Sequence, residues 1–131
     1  MIALDTNILA RYLLDDEPAQ ARTARRLLAD ARAEYWIPVT VVLELAWVLR
    51  KSDAPRAVVM SRLRDLLSLH NVRAQNADLV HQALRWSGEG MDLADALHIV
   101  LSGKAERLAT FDEALIKQAR KMGVRPLVTA P

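Results

Sequence analysis

The chain has 131 residues, 52% apolar and 26% charged, which suits the core of one domain spanning 1–131. It holds no cysteine, so disulfides and thiolate metal sites are excluded, and a reducing cytoplasm is the compatible compartment. A formal charge of +2 permits contact with nucleic acid without marking a dedicated electrostatic binder, and aromatics at 5% leave little for a base-stacking platform.

The first residues, Met1 to Leu9, carry an aspartate inside the early apolar run and no basic segment before it. They read as neither a signal peptide nor a membrane span, and no later apolar run reaches the roughly 20 residues a bilayer requires. Ile2 to Leu4 reads as a buried strand that ends abruptly in Asp5-Thr6-Asn7, and Ile8 to Leu14 as a short helix. Asp15-Asp16-Glu17-Pro18 then offers capping acceptors and a proline where a second helix starts. That helix, to about Ala33, has Ala21, Ala24, Leu27, Leu28 and Ala31 on one stripe and Arg22, Arg25, Arg26 and Arg32 off it. Tyr35 to Val39 reads as a second strand, and Thr40 to Arg50 as a helix apolar almost all round.

Ser52-Asp53-Ala54-Pro55 breaks the pattern before an amphipathic helix from about Arg56 to Leu69. His70 to Ala74 is a short third strand, and Asn76 to Trp86 a helix ended by Gly88-Glu89-Gly90. Asp92 to Ser102 is a second nearly all-apolar helix, Arg107 to Thr110 a strand, and Asp112 to Met122 a helix stopped by Gly123. Pro126 to Val128 is the last strand. Strands separated by helices imply parallel pairing, so the expected fold is a three-layer α/β/α domain with a four- or five-stranded parallel sheet.

In such sheets ligands bind outside the carboxyl ends of the strands. Asp5 follows the first strand and Asp112 the fourth; each reads either as a helix cap or as a site carboxylate. Glu44 lies within Val41-Val42-Leu43-Glu44-Leu45-Ala46-Trp47, and Asp95 within Leu93-Ala94-Asp95-Ala96-Leu97, where an ionised carboxylate needs a partner, an arginine or a cation. Asp92, one turn before Asp95, reads as that helix's cap. His98 reads as a core or interface histidine, and Trp36, Trp47 and Trp86 as packing residues. Four acids in one crevice would repel one another, and an oxygen-preferring divalent cation, Mg²⁺ or Mn²⁺, relieves that repulsion. No pair of histidines with a carboxylate stands at ligand spacing, which argues against a zinc hydrolase. A carboxylate-held cation that keeps its waters suits hydrolysis of phosphodiesters, with one or two ions.

Asp5-Thr6-Asn7 after an N-terminal strand, Glu44 in an apolar helix, Asp92-Leu93-Ala94-Asp95-Ala96, and Thr110-Phe111-Asp112 after a late strand together resemble the PIN-domain pattern. More narrowly, they resemble the VapC toxin subunits of VapBC toxin–antitoxin pairs, over essentially the whole chain. The resemblance implies a ribonuclease in which Asp5, Glu44, Asp95 and Asp112 hold Mg²⁺ or Mn²⁺. It implies Asp92 as an accessory acid, with Thr6, Asn7 and Thr110 orienting carboxylates or waters. It further implies an RNA substrate such as tRNA or rRNA, a homodimer, and a small antitoxin protein that covers the site. Arg11, Arg22, Arg25, Arg50 and Lys51 are the candidate phosphate contacts. Apolar faces around Ala46-Trp47 and Leu97-Val100 are candidates for the dimer or antitoxin contact.

Three rivals fare worse on the residues. A receiver domain needs an aspartate ending its third strand, and Asn71-Val72-Arg73-Ala74-Gln75 has none. A haloacid-dehalogenase-type phosphatase wants a second aspartate where Asn7 stands. A non-catalytic PIN scaffold would be expected to lose some of the four acids, all of which are present. An RNA-processing PIN nuclease without an antitoxin is the remaining alternative.

Overall fold

Short strands and longer helices alternate throughout the computed structural model, which describes residues 1–131. Strand β1 (Ile2–Ala3) leads into α1 (Thr6–Leu14) and α2 (Pro18–Leu28). Strand β2 (Tyr35–Ile37) is followed by α3 (Val39–Leu49) and α4 (Arg56–Leu67). Then come β3 (Val72–Ala74), α5 (Ala77–Gly88) and α6 (Leu93–Val100). The chain closes with β4 (Arg107–Ala109), α7 (Glu113–Met122) and β5 (Leu127–Thr129).

Each strand pair is parallel, as helical crossovers require. Ile2 pairs with Tyr35, Tyr35 with Val72, and Arg107 with Leu127. The α/β architecture with helices packed about parallel strands is the expected one. The five strands, however, fall into a three-stranded sheet, β1-β2-β3, and a two-stranded one, β4-β5. Ile2 and Leu4 direct their amides to Glu34 and Trp36 on the β2 side, at 2.9 and 3.0 Å.

Local chemistry shifts several boundaries. Helix α2 stops at Leu28, and Asp30 turns the chain by accepting the Arg32 amide at 3.0 Å. The acidic run before it is not the capping cluster expected. Asp15 ends α1 in the left-handed region (φ 53°) and pairs with Arg25 at 2.9 Å. Asp16 pairs with Arg11 at 2.9 Å, and Glu17 occupies the cap position of α2 without a side-chain bond.

One cluster of 30 buried apolar residues runs from Leu4 to Val128, with Tyr35 and Ile37 of β2 wholly inside it. The Tyr35 hydroxyl donates to the Leu27 carbonyl at 2.7 Å. Burial and then the nearby Asp30 carboxylate raise that phenol above its ordinary pKa. Asn71 ties the end of α2 to β3 by donating to the Leu28 and Asp30 carbonyls at 2.9 and 3.1 Å. Helix α3 is not enclosed on all sides. Val42, Leu45, Ala46 and Leu49 are buried, whereas Thr40, Leu43, Glu44, Trp47 and Arg50 face solvent. Trp47 is therefore no packing residue, being 59% exposed, while Trp36 and Trp86 are partly buried. The reverse holds for α6: Leu97 and Val100 are buried in the core, so that face is not free to dock a partner. No helix is long and apolar enough to cross a membrane.

Candidate active site

The end of β1 positions the first acid. Asp5 caps α1, its Oδ1 accepting the Thr6 amide at 2.8 Å, and its second oxygen has no partner within the chain. Thr6 is buried and its Oγ1 has no hydrogen-bond partner. Asp5, Thr6, Asn7, Arg11, Asp16 and Glu44 line one cavity of about 290 Å³. A buried hydroxyl without a partner costs about 1–3 kcal/mol.

Glu44 reaches that cavity from the exposed face of α3. It has neither ion pair nor hydrogen bond, so the expectation of a carboxylate embedded in an apolar helix does not hold. It stands on an exposed stripe with Thr40, Leu43 and Trp47, open to water. Glu44 also borders a larger groove of about 560 Å³, shared with Trp47, Arg50, Arg56, Ser87 and Asp92. It is thus the ridge between Asp5 on one side and Asp92 on the other.

Asp92 caps α6, with Oδ2 accepting the Asp95 amide at 3.3 Å and Oδ1 lying 3.6 Å from Arg50. Asp95 sits in the first turn of that helix and is half-buried. Burial, then the Asp92 and Asp112 carboxylates, hold its pKa above the usual carboxylate range, against a smaller opposing effect of His98. His98 itself is exposed and belongs to no core. Asp112 caps α7, accepting the Leu115 amide at 3.0 Å, while its own amide donates to Thr110 Oγ1 at 3.1 Å. Thr110 therefore fixes the backbone that presents Asp112.

Capping and site chemistry are not alternatives here. Asp5 and Asp112 each commit one oxygen to a helix N-terminus and leave the other free. Asp5 and Glu44 share one cavity, Glu44 and Asp92 the adjoining groove, and the Asp92 and Asp112 carboxylates both act on the charge of Asp95. They do not close into one cage, and no three acidic or histidine side chains stand close enough to hold a single ion directly. The acidic donor set is all oxygen, which fits a cation of the Mg²⁺ kind that keeps several of its own waters.

Of the candidate phosphate contacts, Arg11, Arg25 and Arg50 are each turned toward an acid of the chain. The Lys51 ammonium lies 4.0 Å from the Trp47 ring centroid, and Arg22 is exposed with no ion pair. Sequence reasoning missed Trp47 and Arg56 as groove residues. For Trp47 the signal was available, since Thr40, Leu43, Glu44 and Trp47 recur at helical spacing on one face. Nothing in the local sequence marks Arg56.

A family model described as the PIN domain matches residues 2–121 of the chain. PIN domains are usually nucleases, typically dependent on divalent metals. No curated protein and no solved structure matches.

Proposed function

The chain belongs to the PIN-domain family, and from that premise we propose that it is a Mg²⁺- or Mn²⁺-dependent endoribonuclease of the cytoplasm. The observation that carries this reading is the continuity of the acids, with Glu44 bordering both the Asp5 cavity and the groove that reaches Asp92. In this reading Asp5, Glu44, Asp95 and Asp112 hold the metal, with one or two ions. Asp92 sets Asp95 by capping its helix. Asn7 and the Thr6 hydroxyl orient waters in the cavity, and Thr110 orients Asp112. The bound cation supplies polarisation of the phosphoryl oxygen and an acidified water as nucleophile.

The residues that support this assignment also resemble the toxin subunits of VapBC pairs. We extend the proposal accordingly to the toxin of a type II toxin–antitoxin pair, a homodimer cutting tRNA or rRNA and restrained by a small antitoxin protein. The test is cleavage of total RNA by purified protein with Mg²⁺ or Mn²⁺, beside EDTA and an Asp5→Asn control. Discrete products requiring both metal and Asp5 support it; metal-independent products, or products from Asp5→Asn, sink it. A non-catalytic PIN scaffold is favoured by one observation, that no three acidic or histidine side chains are grouped to hold an ion directly. Absence of any heat of Mg²⁺ or Mn²⁺ binding by calorimetry would decide for it.

A further inference from the structure

The groove beyond Glu44 has a composition the acid site does not explain. It has a volume of about 560 Å³, and Trp47 forms part of its wall. The indole is 59% exposed, and Lys51 rests a cation on it at 4.0 Å. Arg50 and Arg56 bring two guanidinium groups to the same space. Arg56 is anchored by donating to the Gly90 carbonyl at 2.8 Å. A solvent-facing aromatic surface with flanking guanidinium groups forms the recognition set for an unpaired nucleotide. The ring accepts the base by stacking in place of the Lys51 ammonium, and the cations take the phosphates.

We propose that this groove is a nucleotide subsite, in which one unpaired base of single-stranded RNA stacks on Trp47 while Arg50 and Arg56 hold the adjoining phosphate. The inference rests on the nuclease reading and deepens it. Because Glu44 and Asp92 form the boundary with the acids, a base on Trp47 sets the neighbouring phosphodiester against the carboxylate cleft. The site thereby selects loops and single strands over duplex, since a paired base has no free face to stack. Charge separates this occupant from a protein partner. An apolar helix would fill the wall of Leu43, Trp47 and Leu93 but leave the Arg56 guanidinium and the Lys51 ammonium against it, whereas a phosphate takes both and competes with Asp92 for Arg50.

The test is a titration of the intact protein with a single-stranded RNA hexamer in EDTA, followed by tryptophan fluorescence. The wild type is expected to show saturable quenching that a duplex of the same sequence does not produce. Trp47→Leu should lose the quenching and weaken binding about ten-fold, and Trp47→Phe should retain most of the affinity. With metal added, Trp47→Leu should lower kcat/KM for single-stranded RNA about ten-fold, through KM and, because the stacked base positions the phosphodiester, through turnover as well. If the wild type cleaves RNA while Trp47→Leu binds it equally well, the subsite is wrong and the nuclease reading survives. If the wild type neither binds nor cleaves RNA, both fall. If Trp47→Leu instead turns a dimer into a monomer by light scattering, with RNA affinity unchanged, the groove is a protein contact and the proposal is overturned.

Discussion

The charged form of Asp95 is opposed by burial and by two neighbouring carboxylates. Its burial and the Asp92 and Asp112 charges raise its folded-state pKa above the unfolded one, so the native state binds its proton more tightly. The resulting stability is fully present below the unfolded value, about 3.9. It is lost as pH rises through the folded value. At neutral pH the metal-free protein therefore carries a penalty that Asp95→Asn removes. Thermal melts in EDTA should place Asp95→Asn above wild type at pH 7, with the gap closing as pH falls below 4. Equal melting temperatures at pH 7 would mean that the repulsion is already relaxed. His81 behaves with the opposite sign. Burial, then Arg85 and Arg64, depress its pKa against a smaller effect of Asp78. Its stabilising contribution is present above the unfolded value near about 6.5 and lost as pH falls through the folded one. Stability between pH 7 and 5 should decline less in His81→Gln than in wild type.

At the scale of elements, capping and charge can be separated experimentally. Asparagine caps a helix about as well as aspartate, whereas alanine loses about 1 kcal/mol. Asp112→Asn should keep the stability of α7 and lose RNA cleavage, while Asp112→Ala should lose both. If Asp112→Asn cleaves normally, Asp112 is a cap alone. Helix α3 gives the matching test of exposure. Leu45→Ala, in the core, should cost about 2–5 kcal/mol in denaturant melts. Glu44→Gln, exposed and unpaired, should stay within about 0.5 kcal/mol of wild type yet abolish cleavage. A large loss of stability in Glu44→Gln would reveal a structural role. These contrasts show what was legible in the sequence. Helices and strands were readable because apolar periodicity changes sharply at residues such as Pro18, Pro55 and Gly123. The exposed side of α3 was not, because an apolar residue facing water and one facing the core look alike in a run such as Val41 to Val48. Asp5 and Asp112 stood out at strand ends, but their arrangement along a cleft depends on how β1 and β4 sit in space. That depends in turn on a two-residue strand whose pairing no local rule decides.

Over the whole molecule, the formal charge of +2 understates the field that RNA would meet. Five of the 16 acidic residues are the proposed site acids (Asp5, Glu44, Asp92, Asp95 and Asp112), leaving 11 others against the chain's 18 lysines and arginines. Part of that excess is held internally, because Arg11, Arg25 and Arg50 face Asp16, Asp15 and Asp92. A phosphate reaching Arg25 must displace Asp15 from 2.9 Å, whereas Arg22 has no such competitor. Removing the competitor should therefore strengthen RNA binding without adding a cation. Asp15→Asn is suited to this, since Asn tolerates the left-handed backbone at that position and the fold is left intact. In titrations of a single-stranded RNA in EDTA, Asp15→Asn should bind more tightly than wild type and depend more steeply on salt. Arg22→Gln should bind more weakly, with the slope of log K against log salt reduced by roughly 0.7, one phosphate's worth of released counterion. If neither substitution moves affinity or slope, RNA does not run over α2, and the phosphate path must instead follow Arg50, Lys51 and Arg56 along the groove.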